Sequence, residues 1–163
     1  MKLLVFSDSH KHIAKMQNVL EKHGEDADCV LHLGDCCVDA ERMAHKFPQL
    51  KFLWVSGNCD YSYEPAEKLL SLGGKKIFVT HGHQYHVKTG YQRIVYSALE
   101  RGADACFFVH SHQPDVFYES GVLFLNPGSI SLPRGMSPPS YGVAEISENR
   151  IGGKIFSCLA PGV

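Results

Sequence analysis

Short continuous apolar runs alternate with stretches in which apolar residues recur every three or four positions, and this rhythm sets the expected elements. Leu3-Leu4-Val5-Phe6 reads as a strand covered on both faces. Ile13, Met16, Val19 and Leu20 follow at helical spacing, and Gly24 stops that helix. Val30 to Leu33 is the second expected strand. Ala40, Met43, Ala44 and Phe47 mark a second helix, broken by Pro48, and Phe52 to Val55 is the third strand. Strand, helix, strand, helix, strand implies right-handed crossovers and a parallel sheet.

The second half changes rhythm. Lys68 to Leu72 and Lys75 to Val79 flank Gly73-Gly74, which suits a tight hairpin. Tyr91, Ile94, Val95 and Ala98 give a third helix that stops at Gly102. Cys106 to Val109 is an apolar strand, and Val116 to Tyr118 pairs with Val122 to Leu125 around Ser120-Gly121. Leu132 to Ser140, with three prolines and a glycine, is a loop, and Tyr141 to Ile146 with Ile151 to Cys158 forms a last hairpin. Helices come early and hairpins late, so one sheet does not easily hold everything. The expected fold is α/β, with two packed mixed β-sheets flanked by helices. No internal repeat, low-complexity tract or linker divides the chain, so residues 1–163 are expected to form one domain.

Composition narrows the classes. Apolar residues make up 44% of the chain and charged residues 20%, ordinary values for a globular protein. A formal charge of −1 gives no footprint for long nucleic acid or an acidic membrane. The first apolar run is too short for a signal-peptide core or a membrane span, so a cytoplasmic location is expected. The six cysteines form no Cys-x-x-Cys pair and are expected to be reduced thiols.

Chemistry gathers at the strand ends. His110-Ser111-His112 follows the apolar Cys106 run, and in an extended segment both imidazoles would face the same space. A loop with two polar residues explains that pair equally well when it is taken alone. The other apolar runs decide the matter. They end in Asp8 and His10, in Asp35, in Asn58 and in His81. Ligands of open α/β sheets bind outside the carboxyl ends of the strands, where loops converge. Two carboxylates, one amide and four imidazoles exceed the needs of a single four-coordinate ion and suit two ions sharing a carboxylate.

Asp8-x-His10, Gly34-Asp35, Gly57-Asn58, His81 and His110-x-His112 resemble, in this order, the motifs of the calcineurin-like metallophosphoesterase superfamily. Gly57-Asn58-Cys59-Asp60 is similar to the variant found in its small YfcE-type phosphodiesterases. The resemblance implies a four-layer α/β/β/α sandwich. It also implies a dinuclear centre in which Asp8, His10 and His112 hold one ion, Asn58, His81 and His110 hold the other, and Asp35 bridges them. The implied activity is hydrolysis of a small phosphate ester by attack of a metal-bridging hydroxide. Manganese is the expected metal, with iron, nickel, cobalt or zinc accepted by the same donors. Ligation needs neutral imidazoles and ionised carboxylates, so activity should fall in acid.

Several positions carry two readings. Relatives place a leaving-group histidine where this chain has Cys59, so Cys59 and Asp60 are candidates for leaving-group or supporting roles. His83 either replaces that histidine or is merely solvated beside the site. Arg134 either forks onto the substrate phosphate or is an ordinary surface residue. Asn126 to Ser129 is read as a turn packed under the site or as a phosphate contact, and His32 as a hydrogen-bonded core residue. The resemblance also extends to vacuolar sorting protein 29, a binding scaffold with the same fold, which is the alternative to an enzyme. The oligomeric state is open.

Overall fold

The computed structural model describes residues 1–158. Ten strands and three α-helices are β1 (Lys2–Phe6), α1 (Ala14–His23), β2 (Cys29–His32), α2 (Cys37–Lys46), β3 (Phe52–Trp54), β4 (Glu67–Leu72), β5 (Lys75–Thr80), α3 (Gln92–Glu100), β6 (Ala105–Phe107), β7 (Asp115–Glu119), β8 (Val122–Asn126), β9 (Ser140–Ile146) and β10 (Ile151–Ser157). A 3-10 turn, His83–Tyr85, follows β5. Two five-stranded sheets run in the orders β10-β9-β1-β2-β3 and β4-β5-β6-β8-β7. Both are mixed: β1, β2 and β3 are parallel while β9 joins β1 antiparallel, and β5, β6 and β8 are parallel while β4 and β7 run against their neighbours.

The period-two alternation of a strand explains the layers. Leu3 and Val5 of β1, Ile77 and Val79 of β5, Ala105 and Phe107 of β6, and Leu123 and Leu125 of β8 meet in one core between the sheets. The intervening residues point outward. Leu4 and Phe6 pack with Met16, Val19 and Leu20 of α1 and Met43 of α2. Phe78, Cys106 and Phe124 pack with Ile94 and Ala98 of α3. Each central strand is apolar on both faces because each face is covered, as the continuous runs require. The expected two-sheet sandwich with outer helices is the observed fold, and residues 159–163 of the expected domain lie outside the described residues.

Small differences sit where the chain leaves the sheets. The strand expected over Cys106 to Val109 ends at Phe107. Phe108 and Val109 keep single backbone bonds to Leu125 and His81, and the chain then enters left-handed conformation at His110 (φ 71°) and His112 (φ 59°). The two histidines therefore do not stand on an extended segment facing one space. Val55 likewise falls outside β3, though its N–H still reaches the His32 carbonyl at 3.1 Å. The parallel strands end at Asp8, Asp35, Asn58, His81 and the His110 loop, and a bond from His81 Nδ1 to the Leu33 carbonyl (2.9 Å) ties the two sheets there. Among the described residues, no helix is long and apolar enough to cross a membrane.

Candidate metal centre

Asp8 is fully buried, at the end of β1, and is held from every side. Ser7 Oγ donates to its Oδ2 at 2.7 Å. Its carbonyl accepts from Ser129 Oγ (2.9 Å) and Ser131 Oγ (2.7 Å), so the Asn126–Ser129 turn packs under the site. Its other carboxylate oxygen, Oδ1, is buried without a hydrogen-bond partner, and so is His10 Nε2.

Asp35 is fixed by two loops that touch. Gly34 adopts φ 96°, and a Cβ there would lie 2.4 Å from the Gly57 nitrogen. A Cβ on Gly57 would lie 2.1 Å from Asp35 Oδ1, so Gly57 serves close approach of the two backbones, not a left-handed turn. Asp60 fastens the junction. Its Oδ2 accepts from the N–H groups of Asp35 (2.9 Å) and Gly57 (2.8 Å), and its Oδ1 from those of Cys36 (2.9 Å) and Cys37 (2.7 Å). Burial works to raise the Asp60 carboxyl, but the N–H donors of Gly57, Cys37 and Cys36 outweigh it and hold its pKa below the usual carboxylate range. Cys59 N–H donates to Asp35 Oδ1 at 3.0 Å.

Imidazoles flank this carboxylate on both sides. Asp8, His10, Asp35 and His112 offer ligand atoms that all lie within 4.8 Å of one another. His10 Nε2 stands 3.7 Å from Asp8 Oδ1 and 3.8 Å from Asp35 Oδ2. His112 Nδ1 is spent on the Leu132 carbonyl (2.7 Å), which turns its Nε2 onto Asp8 Oδ1 at 2.9 Å. Beyond Asp35, His81 Nε2 lies 3.5 Å from Asp35 Oδ1 and 3.2 Å from His110 Nδ1. The His-x-His pair thus straddles the centre, His112 stacking near His10 (centroids 5.6 Å) and His110 meeting His81 (5.1 Å).

Electrostatics differs between the sides. The facing Asp8 carboxylate, stronger than the opposing burial, raises the pKa of His10. At His112 burial pulls down and the Asp8 carboxylate at 2.9 Å, with the Leu132 carbonyl, wins upward. Burial, followed by the charge of His81, pushes His110 down to about 4. The Asp8 carboxyl is itself held far below its usual range, because the facing His10 and His112 imidazoles and the His81 charge overcome its burial. Two buried acceptors 2.9 Å apart repel unless a proton or a cation lies between them. The donor set fits a divalent ion: carboxylate and imidazole atoms, left unpartnered and already converged.

The remaining candidates fall around this centre. Asn58 is exposed, and its amide turns to the Cys59 sulfur at 3.5 Å. Cys59 is also exposed, and burial of the thiol with the Asp35 hydrogen bond and charge push its pKa up to about 11. His83 is half-buried, 5.5 Å from the His81 ring, with Nδ1 unpartnered, and burial followed by the His81 charge pushes its pKa down. Arg134 is exposed; its backbone N–H donates to the His112 carbonyl at 3.3 Å.

Beneath the site lies a network that the sequence reading reached only through His32. Gly34 N–H donates to His32 Nδ1 (3.3 Å), which leaves the ring proton on Nε2, facing Ser9 Oγ at 3.2 Å. Ser9 Oγ donates in turn to Asp39 Oδ2 at 2.7 Å. His32, Ser9 and Asp39 are all fully buried. Asp39 gave no sequence signal, since its position on α2 reads as one polar residue of an amphipathic helix. All six cysteines are free thiols, none of them in the ligand group.

The family model of the calcineurin-like phosphoesterase superfamily domain matches residues 1–149. The chain belongs to that superfamily. It is 35% identical over 151 residues to the probable metallophosphoesterase YsnB of Bacillus subtilis strain 168, covering 91% of this chain and 86% of that protein. It is 28% identical over 169 residues to the phosphodiesterase YfcE of Escherichia coli K12, covering 89% and 88%. Among solved structures, a conserved uncharacterized protein of Streptococcus pneumoniae TIGR4, described as a predicted phosphoesterase, superposes with a TM-score of 0.81 at 31% identity, over 99% of this chain and 94% of that one. The zinc complex of wild-type Vps29 from Entamoeba histolytica shares the fold at a TM-score of 0.75 and 20% identity, over 98% and 100%.

Two outcomes follow from the supporting groups. Asp60→Ala strands four backbone donors and should destabilise the fold by roughly 2–4 kcal/mol. Asp60→Asn should rescue little of this, because each carboxylate oxygen accepts two N–H groups and an amide nitrogen accepts none; urea denaturation of both variants checks it. His32 yields a pH signature. Burial, against the charges of Asp8, Asp60 and Asp39, pushes its pKa down from 6.5 to about 4. Between those values the unfolded chain binds the proton and the folded chain does not, so stability is present above 6.5 and is lost as pH falls toward 4. The chelator-treated wild type should lose roughly 3 kcal/mol more than His32→Gln across that window. Parallel stability profiles for the two proteins would refute this.

Proposed function

We propose that the protein is a metal-dependent phosphodiesterase acting on a small phosphate ester. The observation that carries the reading is the convergence of ligand atoms from Asp8, His10, Asp35 and His112 within 4.8 Å of one another, with Asp8 Oδ1 and His10 Nε2 buried and without a hydrogen-bond partner. A purely structural carboxylate would be given a donor there. In this reading Asp8, His10 and His112 hold one divalent ion, His81, His110 and Asn58 the second, and Asp35 lies between them. Manganese is the metal we favour, with iron, nickel, cobalt or zinc as alternatives, since the donors are hard oxygen and imidazole. Bound cations would supply Lewis acidity and a water of lowered pKa.

The chain's own residues would do the rest. His81 and His112 are oriented by carbonyls, with Nδ1 protonated and Nε2 free, the tautomer that ligation needs. Asn58, exposed at the mouth, would swing its amide oxygen inward. The proton for the departing alkoxide is the weak point of the design. Cys59, with its pKa pushed up to about 11, is a poor donor near neutrality. His83, whose pKa burial and the His81 charge push down, takes up its acidic imidazolium form less readily there. The protein should therefore prefer esters whose leaving groups depart unassisted. The −1 net charge favours a small ester over long nucleic acid. The second reading, a scaffold, is favoured by the shared fold with Vps29 alone.

Two experiments test the proposal. The manganese-loaded protein should hydrolyse a nitrophenyl diester and lose turnover with EDTA, whereas the scaffold has no turnover to lose. In the same preparation, Asp35→Asn should lose both ions by elemental analysis while Asn58→Ala loosens one; metal content equal to wild type in Asp35→Asn would remove the bridging role. Separately, Cys59→His should speed a poorly activated alkyl diester by about tenfold or more while changing the nitrophenyl diester little. Equal rates on the alkyl diester would sink the leaving-group argument.

A further inference from the structure

Lys11 is a lysine where the backbone asks for glycine. Its φ is 67°, and the preceding His10 (43°) and Asp8 (52°) are left-handed as well. A long side chain is disfavoured in this region, and such strain persists where its surroundings enforce it. Here the enforcing group is Asp39, fully buried, whose Oδ2 accepts the Lys11 N–H at 2.8 Å together with Ser9 Oγ at 2.7 Å. A buried carboxylate on α2 thus pins the one strained residue of this loop that is neither a ligand candidate nor part of the core.

Lys11 opens onto a cavity of about 510 Å³ that adjoins the centre through His10, Cys59 and Asp60. That volume lies in the range of small-molecule pockets. Val38 of α2, 44% exposed, and Tyr61, fully exposed, give it apolar surface beside the lysine. The carboxylates of Glu41 and Asp60 also line it, Asp60 with both oxygens spent on main-chain N–H groups, so Lys11 and Glu41 are the exposed charges of the lining. The lysine lies nearest in sequence to His10, and with an exposed aromatic ring and an aliphatic side chain beside it the set is complementary to an anion that carries a flat apolar group. We infer that this cavity is the substrate pocket, that Lys11 binds the ester phosphate, and that Tyr61 and Val38 receive an aromatic ring attached to it. The inference rests on the phosphodiesterase reading and narrows it to esters of aromatic alcohols. Lys11 is a substrate-binding residue; Asp39 and Ser9 position it.

Lys11→Gly isolates the side chain, because glycine keeps the N–H to Asp39 and tolerates the left-handed backbone. Binding of phenylphosphonate and of methylphosphonate to the manganese-loaded protein is measured by calorimetry, beside turnover of phenyl and methyl diesters. Wild type should bind phenylphosphonate about fivefold or more tightly than methylphosphonate, and Tyr61→Ala should abolish that preference. Lys11→Gly should keep wild-type metal content, unfold no earlier than wild type and bind both phosphonates about tenfold more weakly. Equal binding of the two phosphonates by wild type, or unchanged binding in Lys11→Gly, would overturn the inference. Loss of binding with lower thermal stability in Lys11→Gly would also overturn it, since the lysine would then be structural. Absent turnover with the phenyl preference intact would count against the hydrolase while supporting the pocket.

Discussion

A carboxylate and an imidazole held so close that a proton or a cation must lie between them are the constraint on which this structure turns. Asp8 Oδ1 and His112 Nε2 are 2.9 Å apart, and the ring proton of His112 is committed to the Leu132 carbonyl on the other side. In low dielectric such a pair, left without a proton or a cation, repels strongly, and no folding force of local origin would choose it. The rest of the molecule overrules that repulsion. Ser7, Ser129 and Ser131 hold Asp8 by its second oxygen and its carbonyl, and the Leu132 carbonyl holds the imidazole. The arrangement is a preformed demand for positive charge.

Meeting that demand requires backbone geometry that sheets do not provide. Asp8, His10, Asp35, His110 and His112 all have positive φ, an uncommon state for residues with side chains. The rigidity that sustains it comes from two carboxylates that bind no candidate ligand side chain. Asp60 gathers four N–H groups from the loops after β2 and β3, and Asp39 gathers Ser9 and Lys11 from the loop after β1. Each links two of the strand-end loops, or a loop to α2, across space the sandwich leaves open. Together they convert three loops into one surface whose strain is stored locally, while the apolar layers below supply stability.

Retention of this geometry bears on metal binding before it bears on catalysis, since Vps29 of the same fold is itself solved with zinc. A chain that held no cation could let the acceptors relax, exchanging Asp8 or His112 for a donor and gaining stability. The two halves around Asp35 differ in charge: the Asp8 carboxylate raises the pKa values of His10 and His112, while burial and the His81 charge lower that of His110.

The sandwich was legible because every central strand is apolar on both faces, and Leu3 to Phe6 could belong to no half-exposed sheet. The convergence of Asp8, His10, Asp35, His81, His110 and His112 followed from where the apolar runs stop. What the pattern concealed was handedness and backbone. His110 and His112 look extended because they succeed a strand, yet a left-handed turn at each sends one ring to each side of Asp35. Asp60 looks like the partner of a missing histidine because a side chain's neighbours in sequence suggest its role, whereas its four contacts are with main-chain N–H groups. The carbonyls of Leu33 and Leu132, which fix the tautomers of His81 and His112, lie on residues chosen for other reasons. A carbonyl leaves no mark in the sequence, since every residue carries one. Tautomer control by main chain therefore becomes visible only when the fold brings ring and backbone together.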